Sequence, residues 1–134
     1  MSDAFTVYVR NEESVLLMQR ADGVADFPGA WDGIYGIGDP GDIDAVVARI
    51  TEVTGIEGEN LQFVRSGDAR GLAFGNRLND VTPMLFVSSV KEVDARGLYK
   101  SFEWVDPGTI GTKEYSTPQP VSYTHLTLPT TPYV

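Results

Sequence analysis

The 134-residue chain predicts an α+β domain: a mixed β-sheet sandwiched by helices, with one principal helix near residues 43–54. Three observations lead there. One stretch repeats apolar residues at helical spacing, namely Ile43, Val46, Val47, Ile50 and Val53. Short runs rich in β-branched and aromatic residues lie both before and after it. A helix set between β-hairpins, with more strands following, fits an α+β arrangement rather than a doubly wound parallel sheet.

Taken in order, Phe5 to Val9 reads as a first strand, Asn11-Glu12-Glu13 as a polar turn, and Val15 to Met18 as its hairpin partner. Residues 21–32 carry Gly23, Pro28 and Gly29 and read as a loop, followed by a short strand from Ile34 to Ile37. Gly38-Asp39-Pro40-Gly41-Asp42 interrupts the chain strongly. Asp42 or Asp44 then offers an N-cap, because a carboxylate accepts from the free N–H groups of a first helical turn. Gly55 suits the left-handed residue that ends a helix. Leu61–Val64, Met84–Val87 and Phe102–Val105 read as later strands, the last closed by Asp106-Pro107-Gly108.

Composition excludes several classes. There is room for one domain, and an apolar fraction of 42% suffices for a core without disulfides. Cysteine is absent, which removes a thiol nucleophile and any cysteine-based zinc site. No apolar run reaches the roughly 20 residues that cross a bilayer, and the N-terminus lacks the basic start and apolar block of a secretion signal. A cytoplasmic protein without a membrane partner is expected. The net charge of −9 argues against a nucleic-acid polymer as partner, since phosphate backbones demand clustered Lys and Arg.

From Gly36 to Ile56 the chain resembles the Nudix box. That pattern runs glycine, five residues, glutamate, seven residues, Arg-Glu-aliphatic, one residue, Glu-Glu, one residue, Gly-aliphatic. Gly36 begins it here; Pro40-Gly41-Asp42 resembles the loop ending in Gly-Glu; Ile50, Glu52 and Gly55-Ile56 hold their expected places. The resemblance extends to Val15–Arg20, to Phe27-Pro28-Gly29-Ala30-Trp31 and to Phe102–Pro107, covering about residues 5–118. It implies the Nudix fold, with the mixed sheet between helices and the box helix near 43–54. It also implies a hydrolase of nucleoside diphosphates linked to another group, dependent on Mg²⁺ or Mn²⁺. In that chemistry the helix glutamates share metal ions that neutralise the phosphoryl oxygens and generate a hydroxide.

The box is degenerate. Ala48 stands at its arginine, Arg49 at a helix glutamate and Val53 at the second paired glutamate, and the interval from Asp42 to Ala48 is two residues short. The candidate catalytic residues are therefore Glu52, the remaining box carboxylate, and Glu103, a later carboxylate available as general base. Glu52, Asp39 and Asp42 are the candidate metal ligands, with the metal weakly held because Mg²⁺ keeps its waters unless several oxygens converge. Glu52 is either a ligand or a solvated helix carboxylate, and the three aspartates near residue 40 either supply oxygens or shape the turn and cap. Arg20, Arg49 and Gly36 are the candidate substrate contacts; Arg49 either reaches a phosphate or pairs with Glu52 one turn along. Arg20 and Trp31 either touch a substrate phosphate and base respectively or stand as a strand-end arginine and a core aromatic. Val53 is best read as core.

Two functions compete: a weakened diphosphate hydrolase, or a catalytically silent module of the same fold that binds a nucleotide or a partner. The partner is a small nucleotide or diphosphate, the protein a monomer or homodimer. Residues 1–120 form the expected domain. Residues 121–134 lack any Asp, Glu, Lys or Arg and read as a non-native or disordered tail, the alternative being a terminal strand. His125, the only histidine, lies there and receives no role.

Overall fold

A computed structural model describes residues 2–23, 29–67, 70–74, 77–97 and 99–106. The tail from 121, His125, Phe27-Pro28 and Pro107-Gly108 lie outside the described residues. Within them the chain forms strands β1 (Ser2–Asn11), β2 (Ser14–Arg20), β3 (Trp31–Asp32) and β4 (Ile34–Ile37), then helix α1 (Ile43–Thr54) and a 3₁₀ turn at Gly58–Asn60. Strands β5 (Leu61–Ser66), β6 (Arg70–Phe74), β7 (Arg77–Ser88) and β8 (Tyr99–Val105) follow. The eight strands make one mixed sheet with the path β3-β2-β1-β7-β5; β4 pairs with β1, β6 with β7 and β8 with β2. The mixed sheet with one principal helix agrees with the sequence expectation.

β1 is the central strand. It runs parallel to β7, from Ser2 opposite Asn79 to Arg10 opposite Val87, and antiparallel to β2 and β4. With neighbours on both edges and apolar layers on both faces, it needs no alternation of polar residues, and Phe5 to Val9 is buried throughout. Its odd residues Phe5, Val7 and Val9 face α1, together with Leu16, Met18, Met84 and Phe86. Tyr8 faces the opposite layer with Val15, Leu17, Leu85 and Val105. The turn expected at Asn11–Glu13 sits between β1 and β2, with Glu12 at a φ of 53°.

The helix forms where its spacing predicts. Asp42 caps it, its Oδ1 accepting from the amide of Ala45 at 3.2 Å. Gly55 ends it at a φ of +77°, a left-handed position that suits glycine. Val46, Ile50 and Val53 are fully buried against the sheet, each side chain worth roughly 1.5–3 kcal/mol of apolar burial. The last carbonyls of a helix lack internal partners. Here the β7–β8 connection supplies them: the amide of Arg96 donates to Val53 O at 3.0 Å and that of Asp94 to Thr54 O at 2.8 Å. Both ends of α1 are thus fixed, which sets the position of its exposed face.

Candidate functional site

That exposed face carries Ala45, Ala48, Arg49 and Glu52. With Phe5 of β1 and the segment from Gly36 to Asp39 it walls an open cleft of about 380 Å³. The two alanines keep one wall low. Phe5 and Ile37, the latter 61% exposed, make the opposite side apolar. Among the described residues, the charged groups of the cleft are Arg49, Glu52 and Asp39.

Arg49 is the best anchored of the three. Its Nε donates to the carbonyl of Tyr35 at 3.1 Å, and its Nη1 to Oε1 of Glu52 at 3.2 Å. The side chain is 22% exposed, whereas Glu52 is 66% exposed. These two bonds engage one nitrogen of the fork and one hydrogen of a second, out of five N–H donors. Gly36 makes the arrangement possible: a Cβ there would lie 2.5 Å from the Phe5 ring and 3.2 Å from Cγ of Arg49. Its place in the cleft is steric, as the floor on which both side chains rest.

The other predicted site residues distribute as follows. Asp39 borders the cleft, but its Oδ1 accepts from the amide of Gly41 at 2.8 Å and closes the turn before α1. Asp42 is occupied as the N-cap and does not line the cleft. Val53 points into the core, as its apolar spacing predicts. Glu103 sits opposite Leu17 in the β2–β8 ladder. Opposed residues share a face of the sheet, and Leu17 belongs to the layer away from α1, so Glu103 is directed away from the cleft. Trp31 packs against that same far layer.

Arg20 is likewise outside the cleft wall. It is 4% exposed and forms an ion pair with the fully buried Asp32 at 3.3 Å, with its guanidinium 5.7 Å from the centre of the Tyr35 ring. Beside this pair the hydroxyl of Tyr99 accepts from the amide of Tyr35 at 2.9 Å and donates to Gly33 O at 3.3 Å. Burial, reinforced by the charge of Asp32, pushes the Tyr99 hydroxyl up to about 12. This polar cluster braces β4 and β8 and thereby holds the Tyr35 carbonyl that aims Arg49. Sequence inspection missed Phe5, Ile37 and Tyr35 as parts of the site. Phe5 was legible only as a strand residue, and a backbone carbonyl leaves no signature in residue type.

Mg²⁺ or Mn²⁺, which the box implies, needs several convergent oxygens. Among the described residues no three His, Cys, Asp or Glu side chains come together to hold a metal. Glu52 is paired with Arg49, Asp39 is bound into its turn, and Asp42 caps the helix. The described residues do not fit a resident divalent ion.

No family model matches the sequence, and no curated protein matches it significantly. Solved structures do resemble the fold. A Nudix hydrolase from M. smegmatis superposes with a TM-score of 0.72 at 16% identity, covering 98% of this chain and 90% of its own. The MutT protein from Methanosarcina mazei Go1 gives 0.69 at 20% identity, covering 91% and 86%. The NUDIX domain of Shewanella oneidensis NrtR, complexed with ADP ribose, gives 0.64 at 14% identity, covering 96% and 83%. The chain has the Nudix fold.

Proposed function

We propose that this Nudix-fold protein binds a nucleoside diphosphate linked to a further group, and that hydrolysis of the bound compound is slow or absent. The observation that carries this reading is Arg49: a cation, fixed from two sides, stands on the cleft wall where the box has a helix glutamate. A guanidinium fork binds phosphate oxygens through paired N–H donors, while among the described residues no carboxylates converge to activate water through a metal. The apolar side formed by Phe5 and Ile37 suits a base or sugar face beside the diphosphate. ADP ribose, the ligand of the NrtR domain, is the natural first probe.

One observation favours a second reading, residual hydrolysis. Glu52 is 66% exposed on the cleft, and on leaving its exposed pairing with Arg49 its carboxylate would serve as a general base. Calorimetric titration with ADP ribose and chromatographic assay for AMP, in the presence of Mg²⁺, separate the two. Binding with turnover far below the ordinary enzyme range of about 1 s⁻¹ and above is expected. Turnover inside that range would overturn the claim that catalysis is lost, and absence of binding both in Mg²⁺ and in EDTA would overturn the ligand assignment.

A further inference from the structure

We infer that Arg49 takes over the role of the divalent cation, so that the cleft binds its diphosphate ligand without metal and Glu52 acts as an internal competitor for the same guanidinium. The inference rests on the ligand class proposed above. The positive charge is built into the fold. The Tyr35 carbonyl holds Nε, Gly36 leaves room for the side-chain stem, and the guanidinium borders the cleft. Glu52 approaches the same fork through Nη1 from the exposed side. Because it is two-thirds exposed, its pairing with Arg49 is weak and screened by water. An incoming diphosphate carries two negative charges against the one of a carboxylate, and a phosphate can use two N–H groups at once, so it displaces Glu52 instead of being held through Mg²⁺.

The consequence reverses the metal dependence implied by the box. Mg²⁺ in solution complexes a free diphosphate and lowers its charge, which weakens its attraction to a guanidinium. Neutralising Glu52 removes the competitor and should tighten binding, whereas in a metal-bridged site it would remove a ligand and weaken it.

The test measures the dissociation constant of ADP ribose for the intact protein, in EDTA and in millimolar Mg²⁺, for the wild type, Arg49→Ala, Arg49→Lys and Glu52→Gln. Thermal unfolding of each variant establishes that it is folded. Wild-type affinity in EDTA should equal or exceed that in Mg²⁺. Arg49→Ala should lose roughly 10- to 100-fold, the scale of a charged hydrogen bond. Arg49→Lys should recover only part of that, since an ammonium lacks the planar fork, and Glu52→Gln should bind more tightly. Binding that requires Mg²⁺, or that weakens in Glu52→Gln, overturns the inference while leaving the ligand class intact. Absence of binding under both conditions overturns both.

Discussion

The Arg20 guanidinium and the Asp32 carboxylate face each other at 3.3 Å inside the protein, 4% and 0% exposed. Asp32 also accepts from the amide of Gly33 at 2.7 Å. Removing one member of such a pair strands the other charge in a poorly solvated interior. Asp32→Ala should therefore cost about 3–5 kcal/mol in urea unfolding. The double variant Arg20→Met/Asp32→Leu should lose clearly less than Asp32→Ala alone. Equal losses would show that packing, rather than an uncompensated charge, sets the cost.

Tyr99 gives a pH dependence. Its ordinary value of 10.0 rises to about 12 in the folded chain. Between those values the native state retains a proton that the unfolded state has released. The neutral hydroxyl's advantage is complete below pH 10 and disappears as pH rises toward 12, a loss of roughly 3 kcal/mol for two pH units. Tyr99→Phe should be destabilised by about 1–3 kcal/mol at pH 8, where the Tyr35 amide loses its partner. It should also fall less steeply than the wild type between pH 10 and 12.

Gly36→Ala should disturb the cleft and the core together. The added methyl would overlap the ring of Phe5, itself 3% exposed, and overpacking of this kind costs typically about 1–3 kcal/mol. Combining it with Phe5→Leu, which withdraws the ring, should restore part of the melting temperature. No recovery would locate the strain elsewhere.

Arg49 and Val53, at the two positions that align with glutamates of the Nudix box, are not equivalent. Arg49→Glu changes a half-buried side chain and should move the melting temperature only a few degrees, on the scale of about 3–6 °C per kcal/mol for a domain this size. Val53→Glu places a carboxyl among Val46, Ile50 and Phe86, where burial without a partner costs several times as much. The variant should unfold far earlier and recover stability as pH falls and the carboxyl protonates. A Val53→Glu protein as stable as Arg49→Glu would mean that position 53 can turn to the cleft.

Much of this was legible in the chain. The helix announced itself because Val46, Ile50 and Val53 share one face and because Asp42 and Gly55 have side-chain or backbone reasons to stand at its ends. β7 read as only Met84–Val87, yet it runs from Arg77, because Asn79, Asp80 and Pro83 break the apolar run. Pro83 is tolerated where β7 changes partner, between Val81, paired with Arg70 of β6, and Met84, paired with Ser66 of β5. Its carbonyl on that edge accepts from the amide of Gly67. The side chains of the cleft were less accessible to inspection. Whether Glu103 faces α1 depends on its register with β2, and whether Arg20 is buried depends on Asp32; both are long-range choices that local pattern does not encode.

The parallel pairing of β1 with β7 also governs how the protein comes into being. Val9 meets Phe86, and Val7 meets Met84, so β1 has its longest ladder with a strand made far later. Until then the ribosome extrudes an apolar, β-prone segment whose early companions are only β2 and β4. Long-range parallel pairing is slow and leaves such edges open to other chains. The nascent polypeptide should thus depend on protection by chaperones, and its yield in a cell should respond to translation speed before residue 87 more than to the identity of any residue in the cleft.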